Sequence, residues 1–163
     1  MSSHKTGRAT LTNTCIAQTA MLPRLAHFMM YVADLEESIA FYERALHFAV
    51  AERHRYDGHN LAYLRSAGSD VEIELIQPDV PRFNLPESGA AWHVGFVVDN
   101  LDEEFARFAA MGVRLDPVED YVANGVMQTR YFYAYDLDGH QIEILEARGR
   151  YRRGATGAEP ATE

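Results

Sequence analysis

Cysteine is nearly absent. Cys15 stands alone among 163 residues, so the chain can form no internal disulfide and no thiolate zinc centre. That usage suits a reducing compartment, and a cytoplasmic location is expected. Basic charge is also scarce, with 15 Lys and Arg against 24 Asp and Glu and a net charge of −9. General nucleic-acid binding, which needs a basic face to neutralise phosphates, is excluded. An anionic small molecule is not, because a pocket can be locally positive on an acidic protein. Long apolar runs are missing, so no membrane-spanning segment is expected.

The first twenty residues lack the continuous apolar stretch of a secretory signal. Residues 1–22 read as a flexible extension, with an organellar presequence as the alternative. Proline is confined to six positions, and three of them fall in PDVPRFNLPESGA at 78–90. That clustering marks residues 78–89 as a linker. The Gly-, Ala- and Glu-rich residues 149–163 read as a disordered tail. Between the ends, 23–148 is expected to form one domain of two units, 24–77 and 90–147.

What the chain has in place of these features is an internal repeat. His27 in LAHFMMYVADLEESIAFY and His93 in AWHVGFVVDNLDEEFARF stand 66 residues apart. Glu74 in DVEIELIQ and Glu143 in GHQIEILE stand 69 apart. Asp34-Leu35-Glu36-Glu37 and Asn100-Leu101-Asp102-Glu103 both read as capping boxes, an acceptor followed three residues later by Glu. Leu35, Ile39, Tyr42 and Leu46 follow helical spacing, as do Leu101, Phe105 and Phe108 before Gly112, which is placed to end the second helix.

An alternating strand precedes each helix, near 25–32 and 91–98. Three strands follow it, near 48–56, 60–65 and 70–77, then near 114–121, 127–135 and 140–146. Each unit is therefore βαβββ, and the change of offset from 66 to 69 fits a three-residue insertion in the second copy's middle loop. The fold class is α+β, with two tandem βαβββ units forming a cupped mixed sheet.

Strand periodicity places the candidate ligands. In Val71-Glu72-Ile73-Glu74-Leu75 the apolar residues point one way and Glu74 the other. Glu143 likewise opposes Ile142 and Ile144. With a helix on the apolar side, both carboxylates face the concave side, and His27 and His93 share one register. A solitary histidine or glutamate in a strand is ordinarily a packed or solvated side chain. The repeat is what makes these four a set. Two imidazoles and two carboxylates suit a divalent first-row ion such as nickel, zinc, cobalt or iron, and leave positions open for substrate. His47, His54, His59 and His140 have no repeat partner and read as surface or pocket-rim residues. Arg44 and Arg65 are candidates to hold a substrate carboxylate, against the ordinary alternative of solvated arginines. Trp92 belongs either to the pocket wall or to the core, and Tyr131, Phe132, Tyr133 and Tyr135 pave a strand.

Over about 24–147 the chain resembles the vicinal oxygen chelate superfamily, and within it glyoxalase I (lactoylglutathione lyase). The likeness rests on His27 before YVADLEESIAFYERAL, Glu74 in IEL, His93 before VGFVVDNLD, and Glu143 after DLDGHQIE. It implies a metal site of His27, Glu74, His93 and Glu143, holding nickel or cobalt, with zinc as the other option. It further implies a homodimer with active sites shared between subunits. The implied reaction converts a 2-oxoaldehyde–glutathione hemithioacetal, from methylglyoxal in the usual case, to a 2-hydroxyacyl thioester. Glu143 would move the proton, and Glu74 would serve mainly as ligand, with the pseudo-symmetry allowing an exchange of roles. Arg44, in FYERAL, matches a basic glutathione-binding position. Two departures bear on substrate: Thr-x-Asn-Trp-Gly is replaced by Ile76-Gln77-Pro78-Asp79, and Trp92 replaces the usual Gly before the third ligand. An epimerase, an oxygen-using ring-cleaving enzyme and a metal-free small-molecule binding protein are the alternatives.

Overall fold

The computed structural model describes residues 25–80 and 93–152. The expected extension at 1–22, most of the linker and Trp92 lie outside the described residues. The first half runs β1 (His27–Tyr31), α1 (Leu35–Leu46), β2 (Phe48–Tyr56), β3 (His59–Ser66) and β4 (Glu72–Pro78). The second runs β5 (Val94–Val98), α2 (Leu101–Ala110), β6 (Arg114–Leu115), β7 (Glu119–Ala123), β8 (Val126–Tyr135) and β9 (Gln141–Glu146). The expected strand at 114–121 is interrupted between β6 and β7. Pro117 sits in the gap, and its missing N–H cannot join a ladder. The three extra residues are not one loop insertion either, since β8 has ten residues where β3 has eight.

Both helices start as the capping boxes predict. Asp34 Oδ1 accepts from the Glu37 amide at 3.0 Å, and Asn100 Oδ1 from the Glu103 amide at 3.2 Å. The tightest hairpins turn at Asp57-Gly58 and Asn124-Gly125, all four residues with positive φ. That is the two-residue turn whose twist matches the flanking strands. Chain order extends past the expected boundary at 148. A 3-10 turn, Gly149–Tyr151, docks on β8 so closely that a Cβ at Gly149 would lie 2.2 Å from the Gln128 carbonyl oxygen.

The two tandem βαβββ units are as expected, and each makes its own mixed sheet. The first has the order β1-β4-β3-β2, and the second β5-β9-β8-β6 with β7 also paired to β8. The first strand of each half pairs in parallel with the last, which leaves β1 and β5 as open edges. The apolar faces share one core: Ile73, Leu75 and Leu64 from the first sheet, Phe132, Ala134, Ile142 and Ile144 from the second. Phe132 lies within 5.1 Å of Phe105 and 5.9 Å of Phe108, ring centre to ring centre, edge-on in both cases.

Helix α1 holds the halves together. It buries Leu35, Ser38, Ile39, Phe41, Tyr42 and Ala45, whereas α2 buries only Leu101 and Phe108 among its residues. Arg107 of α2 donates to the carbonyls of Arg44 and Ala45, which need partners at the end of α1. The buried Tyr42 hydroxyl donates to Asp136 at 2.7 Å, in the turn between β8 and β9. Burial, and then the adjacent Asp136 carboxylate, push the Tyr42 hydroxyl well above its usual pKa, so it stays a donor. His140, expected at the surface or a pocket rim, is buried instead, with Nδ1 2.8 Å from Asp136 Oδ2.

Tyr42→Phe removes the one donor that, among the described residues, reaches this carboxylate from the first half. The variant should lose about 1–3 kcal/mol of stability in urea denaturation, the cost of stripping a hydrogen bond from a buried polar group. An unchanged midpoint would mean that Asp136 finds another donor.

Candidate functional site

The four candidate ligands are brought together as two pairs. His27 Nε2 lies 3.4 Å from Glu74 Oε2, and His93 Nε2 lies 3.1 Å from Glu143 Oε2. The local reason is the same twice. A parallel pairing of first and last strand sets Met29 against Glu74 and Gly95 against Glu143, so the histidine two residues earlier reaches the glutamate on the same face. Side-chain exposure is 45% and 42% for the histidines but 13% and 15% for the glutamates. The carboxylates are thus sunk in the sheets while the imidazoles stand open at the edges.

The four do not converge within one chain. Among the described residues no three His, Cys, Asp or Glu side chains group as a metal centre. The physical reason is the shared core, which turns both cup faces outward. Each pair still has the spacing of two donors on one ion. Donors about 2.1 Å from a metal stand about 3.0 Å apart at cis octahedral positions and about 3.4 Å apart at tetrahedral ones. The donor set fits a divalent ion, with each half holding two of the four candidate ligands.

A tyrosine lies directly across from each glutamate, which sequence reading missed. Tyr63 of β3 opposes Glu74, and Tyr133 of β8 opposes Glu143. Tyr63 donates to Glu74 Oε1 at 2.7 Å, and that bond, with burial as the next cause, pushes its pKa up to about 12. Its ring also stands edge-on to His27 at 5.8 Å. The Tyr133 ring stands edge-on to His93 at 5.5 Å, and burial raises its pKa first, with Glu143 next. The signal was present in the hairpin register, which a count of strand residues does not fix.

Around the first pair lies a cleft of about 580 Å³, lined by Glu52, His54, Tyr56, Leu61, Tyr63 and Arg65 among others. Arg65 reaches it and is ion-paired with Glu72. His54 is on its wall, 2.9 Å from Glu52, as a rim residue. Arg44 is not there. It sits exposed in the last turn of α1, on the helix side of the sheet, opposite the face that carries Glu74. Where glyoxalase-like sequences place Asn-Trp after the second ligand, Pro78 ends β4 and Asp79 binds Arg55 at 3.0 and 2.6 Å. Gln77 is committed to the fold, accepting from the Leu35 amide and donating to the Ala33 carbonyl.

Comparison with known proteins places this arrangement. The lactoylglutathione lyase of Salmonella typhimurium is 30% identical over 132 residues, covering 77% of this chain and 93% of that enzyme. The Bacillus subtilis protein YwbC is 32% identical over 130 residues, covering 77% and 99%. A solved structure of the trypanothione-dependent glyoxalase I of Leishmania major superposes with a TM-score of 0.59 at 25% identity, covering 77% of this chain and 87% of that one. A family model matches residues 24–144, from just before β1 into β9. With the duplicated βαβββ order around it, that match shows that the chain belongs to the glyoxalase/bleomycin resistance protein/dioxygenase superfamily.

Proposed function

We propose that the protein is a divalent-metal-dependent lyase of the lactoylglutathione type, with nickel or cobalt as the preferred ion and zinc as the other candidate. Its substrate would be the hemithioacetal of a 2-oxoaldehyde such as methylglyoxal with glutathione, and its product the 2-hydroxyacyl thioester. A cytoplasmic setting accords with a thiol co-substrate. The observation that carries the reading is the duplicated His–Glu pair, at 3.4 and 3.1 Å on two outward-facing sheets.

A complete site then needs two copies of the chain. The open edges β1 and β5 carry the exposed side chains of Met29 and Val97, close to His27 and His93 in sequence. Unpaired strand edges with apolar side chains favour association. A two-fold homodimer that sets β1 of one copy beside β5 of the other covers both and faces His27 and Glu74 with His93 and Glu143 of the second copy.

A bound ion supplies Lewis acidity, which offsets negative charge developing on two neighbouring substrate oxygens. Glu143 takes the proton from the carbon that bears sulfur and hydroxyl and returns it to the adjacent carbon, while the hydroxyl proton passes to the neighbouring oxygen, leaving a thioester carbonyl and a new hydroxyl with no atom gained or lost. Glu74 remains a ligand. Arg65, at the cleft, is placed to meet a substrate carboxylate by exchanging its Glu72 partner. Arg44 has no contact among the described residues that supports a substrate role, and Trp92 lies outside them.

One observation favours a second reading within the same family. The segment after Glu74 is occupied by Pro78 and the Asp79–Arg55 ion pair, which supports a thiol other than glutathione, or an epimerase acting on a different carbon acid.

Protein reconstituted with nickel, cobalt or zinc should produce thioester absorbance from methylglyoxal and glutathione. No signal with any of the three favours the second reading. Glu143→Gln should keep the metal and lose about 10²- to 10⁴-fold in turnover, the scale of a missing general base, while His93→Ala should lose both. Full activity in Glu143→Gln would refute the assignment of the base.

A further inference from the structure

The two His–Glu pairs are repeats of one another, yet their surroundings differ at two points. In the first half both carboxylate oxygens are engaged, Oε2 toward His27 at 3.4 Å and Oε1 by the Tyr63 hydroxyl at 2.7 Å. Its neighbour on β1 is Met29. In the second half Oε2 faces His93 at 3.1 Å, and among the described residues no hydroxyl donates to Glu143. Tyr133 lies opposite it in register but turns its ring edge to His93 and to Tyr131, and the Tyr131 hydroxyl goes to Glu119. The neighbour on β5 is Gly95, where a Cβ would stand 3.4 Å from Glu143 Oε2 and 3.1 Å from Leu145 Cδ1. One glutamate is clamped. The other has a bare backbone beside it and, among the described residues, one oxygen without a donated hydroxyl.

We propose that Tyr63 is a positioning residue that fixes Glu74 as the permanent carboxylate of the site, while the lack of a side chain at Gly95 and of a donated hydroxyl leaves Glu143 as the carboxylate that moves. The inference rests on the metal-dependent reading above and deepens it. It breaks the exchange of roles that the repeat would otherwise permit. A carboxylate that must leave its partner to carry a proton cannot be tethered at its second oxygen, and a carboxylate that must stay gains from that tether. Hydrogen bonds that orient ligands act in this way at metal centres.

The test is nickel affinity, measured on the full-length protein by competition with a chromophoric chelator, with nickel as the only ligand. Tyr63→Phe keeps the ring beside His27 and removes only the hydroxyl. It should weaken nickel binding by about 10- to 100-fold, whereas Tyr133→Phe should change it by less than about twofold. In a Glu74→Ala background, which has no acceptor for the hydroxyl, the Tyr63→Phe change should have no further effect, because Tyr63 acts through that carboxylate. The metal-free melting temperature of Tyr63→Phe should match that of the parent, and a fall there would assign the hydroxyl to the fold and overturn the proposal. Equal effects of the two tyrosine variants, with nickel bound tightly by the parent, overturn this division of roles and leave the proposed function standing. Failure of the parent to bind nickel, cobalt or zinc overturns both.

Discussion

The apolar face of each half-sheet has to be buried, and in this chain the two faces are buried together in one core that includes the apolar side of α1. That constraint decides the rest. It accounts for the burial of six of the twelve residues of α1, for the reach of Tyr42 to Asp136 and of Arg107 to the end of α1, and for the outward direction of both cup faces. It also separates the His27–Glu74 pair from the His93–Glu143 pair. A chain that packed its cup faces inward would have one complete site and no need of a partner. This chain presents two separate His–Glu pairs, each beside an edge strand of its own sheet.

Local features were legible in the sequence because local physics produces them. The capping boxes at Asp34 and Asn100, the alternation around Glu74 and Glu143 and the repeat of the histidines all needed only near neighbours along the chain. The pairing of each histidine with its own glutamate followed from two strands at a fixed offset. The separation of the two pairs did not, because alternation tells which face a side chain points to and not which other surface that face meets. Tyr63 and Tyr133 depend on the register of a hairpin, and His140 depends on a turn whose carboxylate it caps from within. Arg44 looked suitable from its neighbours in FYERAL, but a helix lies on the opposite side of the sheet from the cup. The break between β6 and β7 was written in Pro117 and passed over.

Duplication gives two equal half-sites, and function needs them unequal. The difference here does not lie in the four candidate ligands, which are the same residue types in the same register. It lies one layer out, in a hydroxyl that reaches Glu74 and a glycine that stands beside Glu143. Under the proposed function substrate choice would be set further out again, where the Arg55–Asp79 pair and Pro78 occupy the segment after the first glutamate.

The central claim is that each half supplies two ligands and that a second copy completes the set. It is tested most directly by mixing two variants that each destroy a different half-site, His27→Ala and His93→Ala, after refolding them together. Neither variant alone should hold nickel tightly. In a mixed dimer one site carries both lesions and the other carries none, so random pairing should restore about a quarter of the parental nickel content. No recovery on mixing, or tight nickel binding by either variant alone, would contradict the account.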